Sequence, residues 1–228
     1  SETQINLIMT PFPSSTRKDI RLPKESFYIH ATLTPAIKRA MVDDIEQIVW
    51  SHTLTAETLN VNASDKVRQI DVLTVTLKKR ECNEKIFEVI EKAIPRHILF
   101  LLRFKNECRL LIHFKEAYEN VKGKFRIVES YSTDWQPEEE VSLTITGLDL
   151  ERIYHNFVYQ IAGNKLTKEP GRELAKAIEQ NQEAEKIRNR IARLEDKMRK
   201  EVQFNLQLQL SAEIKALKKQ LLDTTDKE

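Results

Sequence analysis

The stretch 67–104, VRQIDVLTVTLKKRECNEKIFEVIEKAIPRHILFLLRF, decides the fold class. Within 67–79, Ile70, Val72, Leu73, Val75 and Leu77 form an almost continuous β-branched and apolar run, the composition of a strand covered on both faces. Asn83 is placed to cap a short helix carrying Ile86, Phe87, Ile90 and Ala93, and Pro95 closes it. A second apolar run, 97–104, follows at once. Strand, helix, strand at these lengths predicts a right-handed crossover between parallel neighbours.

Downstream, Lys105-Asn106-Glu107 is a polar turn into another apolar strand at 108–114, which predicts a hairpin. Gly123 breaks the chain before 125–132, where looser alternation predicts a partly exposed strand. Val141, Leu143 and Ile145 alternate with polar residues, so 140–146 is expected to be a further strand with one wet face. Gly147 and a capping Asp149 open a helix with Ile153, Phe157, Val158 and Ile161, which Gly163 ends.

Upstream, Thr34-Pro35 pairs a capping residue with proline at the first helical position. Ile37, Ala40, Met41, Ile45, Ile48 and Val49 then recur at helical spacing, predicting a helix that runs to Trp50 or Ser51. Ahead of it, the apolar patch 5–9 is followed by Pro11, Pro13, Ser14 and Ser15, the composition of an extended arm lying on the body. The expected architecture is α/β (α+β): a mixed β-sheet flanked by helices, with an arm at 1–33, a body at 34–165 and a long C-terminal helix or coiled-coil arm at 166–228.

Between Gly171 and Leu222 there is neither glycine nor proline, and helix formers dominate. One unbroken helix here would reach about 75 Å. Ala184, Ile187, Ile191, Leu194 and Met198 alternate in steps of three and four, a coiled-coil seam. Val202, Leu206, Leu210 and Ile214 then step by four before Leu217 and Leu221 resume. Such a change locally unwinds a coiled coil or marks a bend, so a straight arm and a hairpin both stay open. A stripe from 184 to 221 exceeds what one body of this size can cover, which predicts self-association or capture of a protein partner through these eleven residues.

Composition narrows the classes. Lys and Arg number 37 against 35 Asp and Glu, a formal charge of +2, so no large overall field concentrates nucleic acid. The two cysteines, Cys82 and Cys108, lack any close pairing spacing, which suits reduced thiols and a cytoplasmic setting. The longest apolar run, 98–102, is strand-length and far short of the roughly 20 residues of a membrane helix. Ser1-Glu2-Thr3-Gln4 lacks the basic start of an export signal.

The segment Glu201-Val202-Gln203-Phe204-Asn205 with Ile214-Lys215-Ala216-Leu217, then Ile48-Val49-Trp50 with Leu54, the 70–78 strand, Ile94-Pro95 leading into Ile98-Leu99-Phe100, and Thr133-Asp134-Trp135 form a set of motifs along the chain. Through them, along most of its length, the chain resembles an uncharacterised bacterial family of domains of unknown function, family 4391. The resemblance implies no activity and no catalytic residues. Genes of the family are associated with restriction-modification methyltransferases and helicases of antiphage systems, so the resemblance implies an accessory role in DNA-directed defence, in complex with such a helicase or methyltransferase.

Candidate chemistry is sparse. The alternative, a metal-dependent nuclease or a nucleic-acid-binding protein using the 71–81 region, would draw on Asp71, Lys78, Lys79 and Glu81, but the acid a nuclease needs two residues before the lysine is missing, since Thr76 precedes Lys78 and Leu77 precedes Lys79. A zinc site from Cys82, His97, Cys108 and His113 lacks the short paired spacings of structural zinc motifs. Nothing marks either cysteine as a nucleophile, and no glycine-rich phosphate loop exists. Trp50 reads as a core cap. Tyr131, Asp134 and Trp135 are placed for a recognition loop. The reading therefore leans away from an enzyme and calls for neither metal nor cofactor.

Overall fold

The computed structural model describes residues 12–30, 33–118, 124–168 and 172–225. The apolar patch 5–9, Gly123 and Gly171 lie outside them. The chain divides into two compact units, 1–163 and 164–228.

The first unit is built on a seven-stranded mixed sheet in the order β1-β2-β3-β4-β5-β6, with β7 also on β5. Its strands are β1 (Arg17–Arg21), β2 (Ile45–Leu54), β3 (Ile70–Leu77), β4 (His97–Phe104), β5 (Glu107–Ala117), β6 (Phe125–Ser132) and β7 (Gln136–Pro137). The parallel pair is β3 and β4, joined through α4 (Lys85–Ala93), as the decisive stretch predicts. Lys105, at φ 54°, turns β4 into the antiparallel β5.

One face of the sheet packs on α1 (Glu25–His30), α2 (Pro35–Asp44) and α4, burying Phe27, Ile37, Met41, Ile86, Phe87 and Ile90 against Ile98, Phe100, Leu102 and Leu111. On the opposite face His97 and Phe114 meet Tyr154 and His155 of α5 (Leu150–Ala162) at ring-centroid distances of 4.5 and 6.2 Å. Asp149 caps α5 by accepting from the Arg152 amide at 2.8 Å, and Gly163, at φ 54°, closes it. A short α3 (Ala56–Leu59) completes the connections.

Three expectations are corrected. The helix that starts at Pro35, with Thr34 accepting from the Ile37 amide, ends at Asp44 instead of running to Trp50, and 45–54 is strand β2. Its register against β3 shifts between Ile45 and Gln47 and again between Trp50 and His52. These bulges place Ile45 and Ile48 together in the core, so a strand mimics the three-residue step of a helix. Second, 17–21, read as part of a loose arm, is the edge strand β1, exposed and charged along its length, a composition that discourages further pairing.

Third, 141–147 alternates as expected, with Val141 and Leu143 buried, but forms no ladder. Gln160 takes the place of a neighbouring strand: its Oε1 accepts from the Thr144 amide at 2.7 Å and its Nε2 donates to the Thr144 carbonyl at 2.9 Å.

The second unit consists chiefly of α6 (Leu174–Lys200) and α7 (Phe204–Thr225), packed on each other across a break at 201–203. Of the two forms left open for this segment, a straight arm and a hairpin, the structure takes the hairpin. Ile187, Ile191 and Ile214 are buried between the two helices, with Leu194, Met198, Leu217 and Leu221 packed around them. Arg190 to Glu213 at 2.6 Å and Lys218 to Glu195 at 2.8 Å tie the flanks.

Candidate functional site

The nuclease residues do not converge. Asp71 sits at the start of β3 and Lys78 lies just past its end, about 23 Å away at the rise of a strand. Asp71 is 2% exposed and its carboxylate is fully engaged. Oδ1 accepts from Trp50 Nε1 at 3.1 Å, Thr53 Oγ1 at 3.0 Å and Gln69 Nε2 at 2.7 Å, while Arg96 pairs with Oδ2 at 3.1 Å and stacks on the Trp50 ring. This carboxylate fastens β2, β3 and the entry to β4.

The other three meet the end of α2. Lys78 donates to the Val42 carbonyl at 2.8 Å, and Lys79 pairs with buried Asp44 at 2.7 Å. The other Asp44 oxygen accepts from the Asn83 amide at 2.9 Å. Glu81 and Cys82 share with Arg39, Asp43 and these groups an open cleft of about 420 Å³. Asp44 is thus occupied in holding the 78–83 loop.

Cys82, His97, Cys108 and His113 do not gather either, and among the described residues no group of three or more His, Cys, Asp or Glu could hold a metal ion. Burial pushes the Cys82 thiol up to about 11 and the Cys108 thiol up to about 12, which suppresses thiolate nucleophiles near neutral pH. His113 instead bonds through Nδ1 to Glu91, whose other oxygen lies 2.9 Å from Lys115 Nζ. All three are buried. Lys115 also donates to the Arg96 carbonyl at 2.6 Å, and Tyr154 donates its hydroxyl to the His113 carbonyl. This network crosses from α4 through the sheet to α5, and none of its side chains lines the cleft beside Cys82. Burial, with Lys115 nearby, pushes His97 down to about 3.

The recognition loop is also internal in large part. Tyr131 is 4% exposed, and Trp135 packs on the core beneath the Arg80 guanidinium; Asp134 alone of the three is exposed. Trp50 packs on the core as expected, from a strand rather than a helix end.

The hairpin leaves a different surface open. Of the eleven stripe residues, Ala184, Ile187, Ile191, Leu210 and Ile214 are buried, and Leu194, Met198, Leu217 and Leu221 are half-buried. Nine of the eleven positions expected to meet a partner or a second copy are thus buried or half-buried within the chain itself. Val202 and Leu206 stay exposed, at 92% and 38%. Phe204 and Leu208, which the seam reading passed over because they fall off its steps of three and four, are 69% and 53% exposed. Four residues apart on α7, they share one face.

The turn that carries them is built without glycine or proline. Glu201 leaves α6 with extended backbone (φ −78°, ψ 133°), and its Oε1 accepts from the amides of Val202 and Gln203, both at 2.9 Å. Gln207 Nε2 returns to the Glu201 carbonyl at 2.7 Å. Glu201 and Gln207 thus hold the bend while the apolar side chains beside them face solvent.

No curated protein and no solved structure matches the chain. The family model described as "Domain of unknown function (DUF4391)" matches residues 11–221. The chain belongs to that family.

Proposed function

We propose that this protein is a non-catalytic adaptor that docks a different protein on the apolar end of its C-terminal hairpin, as an accessory factor of a restriction-type or antiphage system. The observation that carries the reading is Phe204, 69% exposed on a turn held by hydrogen bonds from Glu201 and Gln207. An aromatic left in water beside Val202 and Leu208 is a hydrophobic anchor without a pocket of its own, the kind of side chain that dominates binding energy at interfaces. Ten Lys and Arg against four Asp and Glu between 186 and 219 make the hairpin's outer part repel a second copy, which favours a distinct partner over self-association.

The test is copurification of the full chain, expressed with its neighbouring genes, against the double variant Val202→Asp, Phe204→Asp. The reading expects a stoichiometric helicase, methyltransferase or other protein with the parent chain, and its loss from a variant whose circular dichroism is unchanged. A complex that survives the double variant, or a chain that sediments as a stable homodimer through this turn, overturns it.

A further inference from the structure

The overall charge of +2 hides a segregation. The ten cations and four carboxylates between 186 and 219 give that segment a formal +6, leaving the rest of the chain at −4. Much of this charge is ordered into a row. Lys186, Arg190, Arg193, Lys197 and Lys200 follow one another on α6 in steps of four, three, four and three, the same rhythm as the buried seam but displaced from it, so they share one face. All five are exposed. At 1.5 Å per residue the row is about 21 Å long, with a cation roughly every 5 Å.

Few carboxylates oppose it. Lys186 reaches Glu183 at 3.5 Å, Arg190 reaches Glu213 at 2.6 Å and Lys200 reaches Asp196 at 2.7 Å, all solvent-exposed pairs that are easily exchanged. Arg193 and Lys197 have no such partner among the described residues. The only other carboxylate between 186 and 200, Glu195, is turned to Lys218.

A straight, rigid row of exposed cations complements a regularly spaced row of anions. We propose that this face of α6 binds the phosphate backbone of duplex DNA. The occupant is a duplex rather than a single strand because the row carries no aromatic side chain on which bases could stack, whereas a duplex offers a stiff, regular line of phosphates to a stiff row of cations. This inference does not need the protein-docking reading: its contacts are the cations of α6 and not the apolar side chains of the turn, so it stands if that reading fails.

The experiment is fluorescence anisotropy of the full chain with a labelled 30-base-pair duplex of arbitrary sequence, titrated from 50 to 200 mM salt. The matching single strand and a duplex RNA serve as further arms, with Arg193→Gln, Lys197→Gln as the variant. With about four phosphate contacts, the parent chain is expected to lose roughly 100-fold in affinity across that range, and the variant, two contacts poorer, only about 10-fold from a weaker start. The tip variant Val202→Asp, Phe204→Asp serves to separate the two surfaces: it keeps most duplex affinity, weakened only by its two added charges, and retains the parent's salt slope within about one contact. Absence of binding at 50 mM salt, tighter binding to the single strand or the RNA, or an unchanged salt slope in the Arg193/Lys197 variant overturns the proposal.

Discussion

At the scale of single residues, the side chains that look most chemical are fasteners. Asp71 ends the hydrogen-bonding needs of Trp50, Thr53 and Gln69 and offsets Arg96 in a site that is 2% exposed. Removing it leaves Arg96 without its carboxylate and takes the acceptor from Thr53, while Trp50 keeps the His52 carbonyl, so Asp71→Ala is expected to cost about 3–5 kcal/mol in urea unfolding. A loss below about 1 kcal/mol would mean that the site repacks without it. His97 supplies the pH dependence. Its folded value is lowered to about 3 from an ordinary 6.5, so the unfolded chain takes up a proton that the folded chain refuses. Stability is therefore full above about pH 6.5 and falls by up to roughly 1.4 kcal/mol per pH unit as pH drops toward 3. Burial lowers His52 and His155 in the same sense. His97→Phe, which keeps a ring against Tyr154, is expected to flatten that acid limb by one proton, read from urea midpoints between pH 4 and 7.

At the scale of elements, β3, α4, β4 and β5 are legible from residues 67–114 because apolar runs of strand length, a capping asparagine and a closing proline all agree. Element β2 is not, because its two bulges set Ile45 and Ile48 on one face at a helical step, and only pairing with β3 resolves that ambiguity. The 141–147 segment shows the converse failure: its alternation is real, yet a side chain, Gln160, occupies the place of the ladder. Because Gln160 is exposed, Gln160→Ala is expected to cost only about 1 kcal/mol while visibly speeding hydrogen exchange at the Thr144 amide. In the hairpin, the apolar seam is visible in the sequence but its closure is not, since the turn uses Glu201 and Gln207 rather than glycine or proline. Glu201→Ala frees the Val202 and Gln203 amides, so faster exchange from 201 to 207 is expected, with the sheet unaffected. The exposed pair Phe204 and Leu208 was out of reach of seam counting for the same reason, because what a heptad pattern reveals is the covered face.

At the scale of the whole molecule, the first unit engages Asp71, Glu91, His113 and Lys115 in buried polar networks, and the second carries Val202, Phe204, Leu206 and Leu208 exposed at the turn of its hairpin. No helix among the described residues is long and apolar enough to cross a membrane. The most direct measurement is site-specific photo-crosslinking with benzoylphenylalanine placed at position 204, and, as a control, at Val42, an apolar residue of the first unit that is 51% exposed. The account predicts one dominant protein adduct from position 204 that is absent from position 42. Identical adducts from both positions, or none from 204 when the neighbouring genes are co-expressed, would contradict it.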